Sequence, residues 1–278
     1  MAHAGPPAEL RYRRRLSLPA ALGELWRARE LLRTLAEREL RVRYKQAVLG
    51  VAWAVVTPVV MMVVFSLFIG RVARVDTGGA PYALFVFLGL VPWTFFSTSV
   101  TQGGMSLLVN ATLLNKVYCP REVFPISSVL VAGFDSLVAT VVLGLLFVVT
   151  GEVPAATTAW VPLLLAIQVA FTVGVVLVVS PALIYLGDLR HAIPIGLQVG
   201  LFATPVAFGL DVVPAALRGL YVAINPLAAV IDGYRRTVLL GQPPDWHLTF
   251  IGGIAAVVAL IGGYALFKRL ETGLADVV

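Results

Sequence analysis

Cysteine is nearly absent: Cys119 stands alone in 278 residues. An intrachain disulfide is therefore excluded, the redox compartment stays open, and the thiol reads as buried or incidental. Charge is also scarce, at 13% of residues, where a soluble domain carries about 25%. The three histidines, His3, His191 and His247, are far apart in the chain with no Cys or carboxylate at ligand spacing, so no metal centre is expected. No GxxxxGK[ST] loop occurs, which removes the usual way of binding ATP. Neither a Gly-x-Ser-x-Gly element nor a histidine spaced for a triad is present. Within the apolar stretches the one obvious ionisable residue is Asp135. An ion-coupled carrier usually needs several such groups, so Asp135 reads as a carboxyl hydrogen-bonded between helices or near a water-filled end. A conduit without catalytic machinery is the expectation.

What the chain has in quantity is apolar sequence. Hydrophobic residues make up 59% and mean hydropathy is +0.91, so lipid must be the solvent for much of the surface. Six stretches stand out, at about 48–70, 82–109, 126–149, 160–186, 193–210 and 248–267. Each approaches or exceeds the roughly 20 residues needed to cross a bilayer as a helix. Unpaired backbone is untenable in hydrocarbon, so an all-α integral membrane fold with six transmembrane helices is predicted. Pro58 and Pro92 fall inside spans, where kinks are tolerated if neighbours satisfy the freed carbonyls.

Eleven of the 21 Lys and Arg residues precede position 46. A basic arm before a first span reads as an orientation signal and headgroup contact in preference to a nucleic-acid surface. With the N-terminus in the cytoplasm, only Arg71, Arg74, Arg218, Arg235 and Arg236 remain outside. The excess favours that orientation, and an even number of spans returns the C-terminus to the cytoplasm. No cleavable signal peptide is visible, so the segment near Val48 would serve as both insertion signal and anchor.

Three regions follow: a disordered basic tail over 1–19, a cytoplasmic amphipathic interfacial helix over 20–46, and a transmembrane domain over 47–278. In the helix, Leu25, Ala28, Leu32, Leu35, Ala36 and Leu40 form one stripe, which Arg29 and Glu39 interrupt. Such a helix can lie in the interface with its basic side chains reaching headgroups. The half-apolar segment 211–247, broken by Pro214, Asn225–Pro226 and Gly233, fits two short re-entrant helices before the last span.

Three stretches carry a family likeness. They are RELRVRYKQAVLGVAWAVVTPVV (38–60); PYALFVFLGLVPWTFFSTSV (81–100) with NKVYCPREVFP (115–125); and GDLRHAIPIGLQVGLFATPVAF (187–208) with INPLAAVIDGYRRTVLLG (224–241). In this order they resemble the membrane (permease) subunits of ABC exporters for lipid-linked polysaccharides: O-antigen, capsule, teichoic acid or galactan. The likeness runs from about residue 24 onward.

The resemblance implies a homodimer joined to two copies of a cytoplasmic ABC ATPase that holds ATP-Mg, with no cofactor or metal bound by this chain and no nucleic-acid partner. It implies that Asn115, Lys116, Tyr118, Arg121 and Glu122 form a loop that docks on the ATPase and gates the cytoplasmic entrance; a solvated loop fixing topology is the alternative. Arg38, Arg41, Arg43 and Lys45 of the interfacial helix would lie beside the ATPase and the membrane lipids. Asp188, Arg190 and His191, in the turn between the fourth and fifth spans, would touch the ATPase or form a local cap and ion pair. Gly187 stands where family members commonly carry a second charge. Tyr44, Trp53 and Phe202 become candidates for lining the channel, since aromatic rings offer sugars an apolar face with a polar edge. Phe85, Phe87, Trp93, Phe95 and Phe96 form a second aromatic cluster; for any one ring of either set, the ordinary aromatic belt and helix packing is the favoured reading. Gln102 and Gln198 are intramembrane amides that could hydrogen-bond a glycan or another helix, with helix packing the favoured reading.

The resulting expectation is an ATP-driven permease moving a lipid-linked glycan across the bacterial inner membrane. The rivals are an ABC permease for a drug or simple lipid, and a membrane-embedded glycan transferase.

Overall fold

A computed structural model describes residues 23, 26–45, 50–70, 75–114 and 119–271. Among these residues the regular structure is entirely helical. Helix α1 spans Arg29–Tyr44 and α2 spans Trp53–Phe65, the latter extended at both ends by tighter and wider turns into one rod over Gly50–Gly70. Then come α3 (Tyr82–Val109), a single turn at Ala111–Leu114, α4 (Val123–Thr150) and α5 (Val161–Tyr185). After them follow α6 (Leu189–Ala203), α7 (Ala215–Ile224), α8 (Pro226–Val238) and α9 (Trp246–Glu271).

Five of these rods are long and apolar enough to cross a membrane: Gly50–Gly70, Tyr82–Val109, Val123–Thr150, Ala156–Tyr185 and Trp246–Glu271. The predicted fifth stretch, 193–210, differs. Its helix stops at Ala203 after 15 residues, about 22 Å, and the chain then runs irregularly to Leu210. The α7–α8 pair bends by 114° and would count as a sixth span if taken as one. Asn225 and Pro226 cause the break, because proline has no N–H to continue α7 but fits the first turn of α8. The short helices expected before the last span are therefore present. At the far end of α4, Gly151 adopts φ 73° and terminates the helix.

Helix α3 is the centre of the bundle, with Leu84, Val86, Phe87 and Leu107 fully buried. Phe65 of α2, Val129 of α4, Val176 of α5, Leu201 of α6 and Ile231 of α8 join Phe85, Leu90 and Trp93 of α3 in one apolar cluster. Helices α5 and α9 touch backbone to backbone. A methyl group on Gly263 would lie 2.2 Å from the Gly174 carbonyl oxygen, and one on Gly174 2.5 Å from Ala259. Small residues permit this approach, which lipid-embedded helices use in place of a hydrophobic drive.

Candidate functional site

At one end of the bundle, four parts of the chain converge: α1, the segment between α3 and α4, the end of α5, and the last turn of α9. Arg38 donates to Asn110 Oδ1 at 3.4 Å. Lys268 Nζ donates to Glu122 Oε2 at 2.8 Å and to Glu271 Oε2 at 2.9 Å. Arg121 Nη1 donates to the Glu271 carbonyl at 2.8 Å, and the Tyr185 hydroxyl to the Leu270 carbonyl at 2.9 Å. Burial pushes the Cys119 thiol above its ordinary range, so this half-buried cysteine is a poor nucleophile.

Of the loop residues singled out from sequence, Asn115, Lys116 and Tyr118 lie outside the described residues. Arg121 is partly buried, and Glu122 is wholly buried and turned inward onto Lys268. Glu122 thus holds the loop to the bundle and does not present its carboxylate to a partner. Asp188, Arg190 and His191 are exposed. Asp188 makes no side-chain cap, while Arg190 Nε donates to His191 Nε2 at 3.2 Å.

Helix α1 runs along the first half of α4. Arg41 is exposed and pairs with Glu37, which also pairs with Arg33; Lys45 is exposed as well. Arg43 turns the other way. Its guanidinium lies 2.5 Å from Asp135, and the Tyr44 hydroxyl donates to the other oxygen of the same carboxylate. Asp135 stands 12 residues inside α4, about 18 Å along its axis, so Arg43 is committed to an interhelical pair and not to a headgroup. This is the carboxyl bonded between helices that the sequence suggested. Burial, with help from Asp135, pushes the Tyr44 hydroxyl up to about 12. Tyr44 is therefore tied to α4, whereas Trp53 and Phe202 are more than half exposed. Phe202 meets Phe65 edge-on at 6.3 Å, which brings α6 beside α2.

The second aromatic cluster is packing. Phe85, Phe87, Trp93, Phe95 and Phe96 are all buried, with Trp93–Phe96 and Phe96–Phe171 centroids 5.7 and 5.5 Å apart. Gln102 and Gln198 are exposed. The amide that bridges helices is Gln168, donating to the Pro92 carbonyl at 3.1 Å and accepting from Tyr234 at 2.9 Å. A groove of about 340 Å³ lies beneath α6, bordered by Trp93, Phe96, Phe171, Gly200 and Asn225.

At the opposite end, Arg235 is 3% exposed. It donates to the carbonyls of Phe85 (3.0 Å), Pro205 (2.7 Å), Val206 (2.5 Å) and Phe208 (2.8 Å), and stacks 3.6 Å above the Phe85 ring. It thereby satisfies the irregular chain after α6. Arg218 and Arg236 also bond to backbone carbonyls there. Sequence reasoning counted Arg235 as an outside charge and Lys268 only as a cytoplasmic one, and passed over Gln168. For Gln168 the available signal was a lone polar side chain within an apolar run, whereas Arg235 and Lys268 stand beside Arg236 and Arg269 and carried no such signal.

Among the described residues no His, Cys, Asp and Glu side chains gather as a metal site. Long apolar rods, a helix pair bent by 114° before the last of them and a polar, ion-paired end define a multi-pass membrane protein. The chain matches the ABC-2 type transporter membrane family over residues 30–239 and belongs to it. Similar proteins include an O-antigen export system permease protein RfbA of Myxococcus xanthus, 30% identical over 91% of this chain and 97% of that protein. A protein of the same name from Klebsiella pneumoniae is 27% identical over 90% and 95%. The polysialic acid transport protein KpsM of Escherichia coli is 24% identical over 84% and 91%.

Proposed function

We infer that this chain is the permease subunit of an ATP-driven exporter that carries a lipid-linked polysaccharide from the cytoplasmic to the outer leaflet of the bacterial inner membrane. The observation that carries this reading is the near full-length similarity to permeases named for O-antigen and polysialic acid export. Two copies of the chain would enclose the path, and two copies of a separate ATPase would bind ATP-Mg and drive it. The chain itself would hold no cofactor.

The end bearing Arg38, Arg41, Lys45, Arg121 and Lys268 is the cytoplasmic one in this reading, with both termini on that side, because excess Lys and Arg mark the cytoplasmic face. The exposed Arg190–His191 turn and the segment between α3 and α4 are the surfaces offered to the ATPase. Trp53 and Phe202, exposed on neighbouring helices, are the aromatic groups offered to sugar. Tyr44 contributes by holding α1 against α4.

Depletion of the protein in its native cell, followed by leaflet-resolved analysis of lipid-linked glycans, tests the assignment. A complete polymer is expected to accumulate on the cytoplasmic side, and its sugars identify the cargo. An unchanged polymer in both leaflets would refute polysaccharide export, and a truncated one would make the chain a transferase.

A further inference from the structure

The last turn of α9 is held by three bonds, from the start of α4 and from the end of α5. Lys268 reaches Glu122 at the start of α4, Arg121 donates to the terminal carbonyl at Glu271, and Tyr185 at the end of α5 donates to Leu270. Orphan carbonyls at a helix C-terminus attract donors and cations. Here those donors come from two other elements, so the helix end is tied and not merely capped. Beneath the bonds, fully buried Phe267 packs with Leu107 of α3, Phe124 of α4 and Leu177 of α5. A carboxylate with no exposure, such as Glu122, is sustained only by a partner. Lys268, itself 13% exposed, supplies that partner from α9. Further along, the backbone contact at Gly174 and Gly263 prevents α9 from sliding over α5 without a clash.

From this geometry we propose that the last turn of α9 is a linchpin. A push on the segment between α3 and α4 moves α4, α9 and α5 as one body, and the Lys268–Glu122 pair transmits it. The proposal rests on the reading of that segment as the ATPase contact, and it makes Lys268 a positioning residue for coupling. In the contrary mechanism the segment swings alone while α9 stays still, and the pair must part in every cycle.

The test uses the full complex with its ATPase in proteoliposomes, with ATP hydrolysis and glycan translocation measured in parallel. Lys268→Met is expected to assemble and hydrolyse ATP while translocation per ATP falls at least about tenfold, because Glu122 loses its buried counter-charge. Lys268→Arg, and the exchange of Lys268→Glu with Glu122→Lys, are expected to recover part of that ratio. An unchanged ratio in Lys268→Met overturns the proposal. A second measurement leaves the pair intact. Spin labels on exposed Thr112→Cys and Leu266→Cys, in a Cys119→Ser background, report the distance between the segment and α9. A constant distance between nucleotide-free and ATP-bound complexes is expected, and a change of several ångströms overturns the proposal even if Lys268→Met fails to fold. A wild-type complex that lacks ATP-dependent glycan transport would instead refute the functional reading beneath it.

Discussion

A guanidinium placed among apolar side chains must find acceptors for its protons, and Arg235 finds four carbonyl oxygens on two separate stretches of backbone. Three of them belong to the irregular chain after α6, which has no helical neighbours to bond. Gly89 makes room for the arrangement: a methyl there would sit 2.7 Å from the Val206 oxygen and 2.8 Å from Arg235 Nη2. The fork of the guanidinium is what allows one side chain to serve diverging carbonyls, and an ammonium on a flexible stem does not reproduce it. Arg235→Lys is therefore expected to destabilise the protein, and Arg235→Met to cost about 3 kcal/mol or more as buried carbonyls lose their donor. Thermal unfolding in nanodiscs checks this; a wild-type Tm for Arg235→Lys would show that the fork is dispensable.

Amphipathicity and docking conflict in α1, and docking wins. Glu39 interrupts the apolar stripe because it accepts from Ser128 of α4 at 3.1 Å and lies 3.8 Å from Arg43. Burial raises its carboxyl above the ordinary 4.5, against the lowering effect of Ser128 and Arg43, and with Asp135 adding to the rise. The docked state therefore holds this proton more tightly than the undocked state does. Its advantage is full below pH 4.5 and is lost as pH rises through the elevated value. Amides of α1 are expected to exchange more slowly at about pH 5 than at about pH 7.5, after correction for intrinsic rates, and Glu39→Gln to abolish the difference. Equal protection at both pH values in the wild type would remove Glu39 from the docking energetics.

Charge is sorted across the whole molecule. Arg121 and Lys268 form cross-element bonds at one end, while Arg218, Arg235 and Arg236 are bound to nearby carbonyls at the other. Between the ends, α2 and α6 leave Trp53, Val60, Val63, Ile195, Val199 and Phe202 open in the single chain. In the proposed dimer this face would border the path between the two copies. Under the proposed function, Trp53→Ala with Phe202→Ala is expected to reduce glycan translocation severalfold while the dimer persists, since these rings would guide sugars through weak contacts. Parallel loss of dimer, measured by native mass spectrometry, would make these rings packing groups instead.

The sequence by itself determined the class, because 59% hydrophobic residues and helix-length apolar runs admit few other folds in lipid. Local grammar also sufficed for the bend at Asn225–Pro226 and for the long rods, whose hydropathy requires no knowledge of neighbours. Where α6 ends was not legible, since residues 204–210 are as apolar as a helix; donors distant in the chain, Arg235 and Tyr82, let their backbone leave the helical pattern. The candidate site divides in the same way. The basic and aromatic residues were visible as types, and the lone Asp135 was recognisable as an interhelical contact. Which way they point was decided by tertiary structure: Glu122 inward onto Lys268, Arg43 onto Asp135, and Phe202 outward beside Phe65. The physical reason is that a buried charge is stable only beside its partner, and those partners lie up to 146 residues away along the chain.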